Sequence, residues 1–217
     1  MAPTSVLLAL LSLILRINPS NESGHGTHKL LVVVCNGFRY DYLSLAKSRG
    51  IRTPTFDRII REGVRAGHMK PEFVTATYPN LWSLVTGLTV ENHGIVHDQF
   101  YDPESRRIFN GLTVESAQFY LSGINEKKEG APIWITNQLS SGRSVLSSWP
   151  AAGLTVDHAR ASYIQHAELS VPVKDRINFI IRHLKARANP ANLGLMFLDE
   201  PGEYVSRIYS LMITALL

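Results

Sequence analysis

A single cysteine, Cys35, is all the thiol chemistry the chain contains. That excludes an intramolecular disulfide, and with it both a disulfide-stapled scaffold and a cysteine-rich structural zinc module. Cys35 ends an apolar run and reads as a small, inert, buried hydrophobe. Long hydrophobic runs are also missing: the most apolar stretch, Val6 to Leu15, has about 10 residues where a bilayer-spanning helix needs about 20. No transmembrane anchor is expected in this chain. Charge of one sign is in no great excess, with 22 Lys and Arg against 18 Asp and Glu for a net +4 spread along the sequence. A nucleic-acid partner is therefore not expected. Low complexity and disorder are excluded by 45% apolar and 18% charged residues with 15 Gly and 11 Pro among 217, which describes a globular chain of one or two domains.

The amino-terminal stretch has the apolar centre of a secretory leader but lacks its basic start, and is followed by Arg16 and a polar, small-residue segment to Thr27. Residues 1–24 are read as a signal peptide, with entry into the secretory pathway and a secreted or extracellular destination. Asn21-Glu22-Ser23 is the glycosylation sequon, because Pro19 spoils the one at Asn18.

Further along, strands and helices alternate. Leu30 to Cys35 is a continuous apolar, β-branched run ending at Asn36-Gly37, the pattern of a central parallel strand buried on both faces. Thr53-Pro54 opens a helix with Phe56, Ile59 and Ile60 on one face and Gly63 as its stop. Val64 to Met69 is expected to be the next strand. A helix of less than two turns is expected over Leu81 to Thr86, opened by Pro79-Asn80 beside Thr77 and Tyr78 and closed by Gly87. Ile133 to Leu139 suits another helix and Ser144 to Ser148 a short strand. Val173, Ile177, Ile180, Ile181 and Leu184 mark a helix closed by Asn189-Pro190, and Leu193 to Leu198 a further buried strand. This alternation predicts an α/β layered, mostly parallel sheet with helices on both faces, and chemistry at the carboxyl ends of the strands.

The loops at those ends carry Asn36-Gly37-Phe38-Arg39, Thr75-Ala76-Thr77-Tyr78-Pro79-Asn80 and Glu200-Pro201-Gly202. The second places hydroxyls at a helix start, where free N–H groups and the dipole stabilise an anion or alkoxide. Taken alone, a threonine there is also an ordinary helix cap.

Together with Thr86-Gly87-Leu88, Glu91-Asn92-His93-Gly94 and Ala131-Pro132-Ile133-Trp134, in this order, these motifs resemble the ectonucleotide pyrophosphatase/phosphodiesterase family of the alkaline phosphatase superfamily. The likeness is greatest to its small type I membrane members and runs from about His28 to Pro201. It implies an alkaline phosphatase-like fold and extracellular hydrolysis of phosphodiester or pyrophosphate bonds. It further implies two zinc ions, a threonine nucleophile, and nucleotides or phospholipid headgroups as substrates. By motif, Thr77 falls on the nucleophile and Tyr78 on the residue that stacks on a base.

Several positions depart from the pattern. The zinc-binding aspartate after the first strand is Asn36, the oxyanion asparagine is Asp98, and the lysine before the nucleophile is Ala76. The aspartate and histidine after the last strand are Gly202 and Ser206, so the ligand positions Asn36, Gly202 and Ser206 are all substituted. A neutral amide is a poor zinc ligand, and zinc binding here is expected to be weak. The match stops at Gly202, leaving residues 202–217 as a divergent apolar tail beyond a 28–201 catalytic-type domain. The expectation is a truncated form with little or no activity. The alternatives are a catalytically dead secreted binding ectodomain, or a product without a function of its own. His93 is expected to be structural, His158 and His166 to lie on the surface, and Arg58, Arg61 and Arg65 to form a solvated face.

Overall fold

The computed structural model describes residues 9–13, 28–110, 113, 130–166 and 171–198. Its centre is a sheet of five strands in the order β1-β2-β7-β5-β6, with β1 Ala9–Leu13, β2 Leu30–Cys35, β5 Ser144–Ser147, β6 Tyr163–Gln165 and β7 Leu193–Leu198. β2 runs parallel to β7 in the register Leu30↔Leu193 to Cys35↔Leu198, and β7, β5 and β6 are parallel in turn. Only β1 is antiparallel, pairing Ala9 with Cys35 and Leu13 with Leu31. The layered α/β expectation holds.

Alternation along the strands fills two cores. Val32 and Val34 of β2, with Leu195 and Phe197 of β7, face one side, where Leu81, Trp82 and Val85 of α3 (Thr77–Thr86) and Trp134 and Ile135 of α5 (Ile133–Leu139) cover them. Leu31, Val33 and Cys35, with Met196 and Leu198, face the other. There they meet Phe56 and Ile59 of α2 (Pro54–Glu62) and Ile177, Ile180, Ile181 and Leu184 of α6 (Val173–Leu184). Cys35 is buried, as its apolar neighbourhood predicts. Gly194 of β7 lets α6 come this close: a Cβ there would meet Leu31 Cδ1 at 3.0 Å and Ile180 Cγ2 at 3.3 Å.

Three expectations on local structure need correction. Val64 to Met69 forms no strand: Val64 is 97% exposed, and the charged and glycine residues after it leave no alternating apolar face to bury. α3 starts at Thr77, where its start is expected, but it has 10 residues instead of less than two turns, with Pro79 and Asn80 inside it rather than ahead of it. Pro79 sits in its first turn, where an amide N–H would lack a helical partner in any case, so proline does not delay the start. Gly87 ends it in the left-handed conformation at φ 71°, as glycine allows. α6 ends at Leu184, ahead of Asn189-Pro190.

Several short elements lack a clear sequence pattern: α1 (Tyr42–Ser48), α4 (Val90–His93), β6, and a hairpin of β3 (Gln99–Asp102) with β4 (Arg107–Asn110). Asp102 closes that hairpin by accepting from Glu104 N–H and from Ser105 Oγ. The residues of β1 belong to the stretch read as a leader. Asn21, Gly202, Ser206 and the 202–217 tail lie outside the described residues.

Candidate active site

Thr77 is the first residue of α3, and it stands there because the loop before it is fixed from inside the helix. Asn80 is buried, and its Nδ2 donates to the carbonyl oxygens of Val74 and Ala76, both at 2.8 Å. Its Oδ1 accepts from Glu72 N–H at 2.9 Å. One side chain thereby holds three points of the segment leading to Thr77. The sequence does not show this scaffold role, because the Pro79-Asn80 pair signals only a helix start.

The helix itself is capped from a distance. Ala76 occupies the N-cap position and has no side chain to offer. Asp98, from the loop between α4 and β3, brings its Oδ1 to 2.7 Å from the backbone N of Tyr78 and accepts its N–H. That N–H is one of the four a helix start leaves without helical partners, and a carboxylate there also meets the positive end of the dipole. The structure thus joins Thr77, Tyr78 and Asp98, all half-buried, at one helix end. Tyr78 packs its ring partly against the core beneath α3.

Asn36 stands at the carboxyl end of β2, its N–H bonded to Leu198 O at 2.8 Å. It is on the sheet that α3 covers, at the end where the resemblance places a metal ligand. Beyond it, Arg39 is held by Asp41 through Nε–Oδ1 at 2.5 Å and Nη2–Oδ2 at 2.7 Å. Its guanidinium also lies 5.5 Å from the Tyr42 ring centre. That hydrogen-bonded pair holds the Asp41 carboxyl below its usual range, and it commits Arg39 to its neighbours.

A serine–histidine pair lies nearby without the geometry of a nucleophile and its base. His93 Nδ1 accepts from Ile95 N–H at 3.1 Å, which puts the ring proton on Nε2, facing Ser83 Oγ at 2.9 Å. A nitrogen that already bears a proton cannot take one from serine. His93 is buried and ties α3 to α4, the structural place expected for it. His158, His166, Arg61 and Arg65 are exposed and Arg58 is half-exposed.

Among the described residues, no three His, Cys, Asp or Glu side chains gather into a group able to hold a metal ion. The neutral amide of Asn36 supplies no charge to attract one. The described residues therefore do not fit a two-zinc centre. Nor, among them, is any helix long and apolar enough to cross a membrane.

Residues 30–208 match the family described as type I phosphodiesterase / nucleotide pyrophosphatase. Human bis(5'-adenosyl)-triphosphatase ENPP4 is 33% identical over 183 residues, covering 84% of this chain and 38% of that protein. Human ectonucleotide pyrophosphatase/phosphodiesterase family member 5 is 33% identical over 177 residues, covering 81% and 34%. The solved structure of the human member 5 superposes with a TM-score of 0.71 at 29% identity, over 87% of this chain and 51% of that one. An inactive form of the murine protein in complex with AMP gives 0.66 at 32% identity, over 87% and 50%. The chain spans well under half the length of these curated relatives and about half of the solved chains. On the family match, the relatives and the shared alkaline phosphatase-like fold together, the chain belongs to the type I phosphodiesterase / nucleotide pyrophosphatase family.

Proposed function

We propose that the chain is a secretory-pathway member of this family that keeps the nucleophile position, Thr77, but turns over phosphodiester or pyrophosphate bonds very slowly or not at all. Nucleotide-type ligands are the class this reading favours, because a relative is described as a bis(5'-adenosyl)-triphosphatase and a solved neighbour is in complex with AMP. Phospholipid headgroups remain the other substrate class the resemblance implies. The observation that carries the reading is the charge at the site. Asn36 replaces an anionic ligand with a neutral one, so a divalent pair is held weakly. A threonine hydroxyl without a base or metal beside it is a poor nucleophile at neutral pH. The leader-like residues 1–24 and the Asn21 sequon support passage through the secretory pathway.

The test is hydrolysis of a chromogenic phosphodiester with zinc added, comparing the chain with its Thr77→Ala variant. Equal, background-level rates are expected, with far less than stoichiometric zinc in the purified protein by elemental spectroscopy. A zinc-dependent rate that disappears in Thr77→Ala would overturn the proposal. A second reading, a binding ectodomain without chemistry, is favoured by Asp98, whose carboxylate already lies on the helix end where a phosphate would be received.

A further inference from the structure

We infer that the end of the sheet opposite Asn36 binds a sulfated polysaccharide. This goes beyond the reading above and uses none of Thr77, Tyr78 or Asp98. β2, β7, β5 and β6 run parallel, so the residues just ahead of each strand share one end of the sheet. Lys29 precedes β2, Arg143 precedes β5 and Arg160 stands three residues before β6. Arg182, Lys185 and Arg187 lie on the last turn of α6 and the loop leading into β7. The segments 28–29, 139–143, 156–162 and 182–192 that meet there hold these six cations and one carboxylate, Asp157, an excess of five where the whole chain has a net +4. The parallel topology gathers onto one surface charges that are scattered along the sequence, and the rest of the chain is close to neutral.

Hydrogen bonds fix these segments against one another. Arg143 N–H donates to Asn192 Oδ1 at 2.8 Å, Leu30 N–H to Asn192 O at 2.9 Å, and Lys29 Nζ to Leu184 O. The Tyr163 hydroxyl donates to Asn189 O at 2.8 Å, which holds the α6–β7 loop against β6. The crowding of charge is felt at Lys29, whose ammonium is held below its usual pKa by burial first and then by the charge of Lys185. Arg143, Arg160, Arg182 and Arg187 are exposed and make no ion pair among the described residues. Arg160 also lines an open cavity of about 420 Å³ with Gln138, Asp157, His158 and Ser162, a volume within the range of small-molecule sites. The amide, hydroxyl and carboxylate there suit sugar hydroxyls, and guanidinium groups suit sulfate, which they meet with paired N–H bonds. Among the described residues, the exposed aromatic side chains Tyr40, Phe73 and Tyr101 all lie outside these segments, so nucleic-acid bases would find no stacking platform here. Leu139 is the only large apolar side chain exposed within them, too little to enter a bilayer.

The test is calorimetric titration of the 217-residue chain with a heparin oligosaccharide over a series of salt concentrations around about 0.15 M. Arg143→Gln combined with Arg187→Gln removes two charges from this end. The control is Arg65→Gln combined with Lys70→Gln, in the loop ahead of α3, where Arg65 Nη2 reaches Tyr40 O beyond the carboxyl end of β2 at 3.4 Å. The first pair should weaken binding about tenfold or more and lower the slope of log affinity against log salt by about two, one for each cation lost. The control pair should change both little, and desulfated heparin should not bind. Arg160→Gln combined with Arg182→Gln gives the same readout if urea unfolding shows the first variant to be poorly folded. The inference is overturned if heparin does not bind the wild type, or if the control pair weakens binding as much as the first, since net charge alone would then be responsible. It is also overturned if a single-stranded oligonucleotide, or vesicles containing phosphatidylserine, bind as tightly as heparin and depend on the same residues.

Discussion

Asn80 is the residue whose loss should disturb the site most directly, although nothing in the sequence marks it apart from its neighbours. Its buried amide makes all three of its bonds to part-buried backbone groups, the N–H of Glu72 and the carbonyl oxygens of Val74 and Ala76. Asn80→Ala should cost about 1–3 kcal/mol, because it takes the partner from three part-buried backbone groups at once rather than merely deleting one bond. Asn80→Asp should be worse, since it turns two donors into acceptors facing carbonyl oxygens. Urea unfolding of the three proteins measures this, and an aspartate variant as stable as the wild type would contradict the assigned bonds. Thr77 and Tyr78 were legible because they lie in a contiguous motif. Asp98 was legible as a position by resemblance, but its hydrogen bond was not, since it joins Asp98 to an amide 20 residues away. A contact of that kind depends on where α4 and β3 place the loop between them.

Elements were readable where burial imposes a long pattern. β2 and β7 are buried along nearly their whole length, and their apolar runs mark them in full. α1, α4 and the β3–β4 hairpin are short, half-exposed and held by turns and by contact with other elements, so periodicity gives little sign of them. The α3–α4 junction is the element-scale feature with a pH signature. His93 is neutral there, and burial lowers its pKa from 6.5 more than the backbone at Pro79 and His93 and the charge of Glu91 raise it. The unfolded chain then binds the proton more readily than the folded one. The stabilisation is complete above the unfolded value of 6.5 and is lost as pH falls through the lowered folded value. The urea midpoint should therefore drop between about pH 8 and about pH 5.5, and the drop should shrink in His93→Gln. A midpoint equally pH-dependent in both proteins would place the titrating group elsewhere.

At the scale of the whole molecule, the doubly covered sheet was legible and its edge was not. Five residues serve two readings: Ala9–Leu13 lies within the apolar stretch read as a leader, and the same residues pair along β2 from Leu31 to Cys35. A short apolar run is compatible with either role, so composition could not separate them. The two cannot hold together in a processed protein, because cleavage near residue 24 would remove the strand that, among the described residues, is alone in pairing with that side of β2. β2 would then present a row of unpaired N–H and C=O groups flanked by side chains already buried on both faces, a template for pairing with other chains. A chain starting at residue 25 should therefore run as larger species in light scattering, and lose its cooperative melt at a lower temperature, than the 217-residue chain produced without secretory processing. A monomeric, equally stable shortened chain would show that β2 does not need this strand, and that Ala9–Leu13 acts as a leader alone.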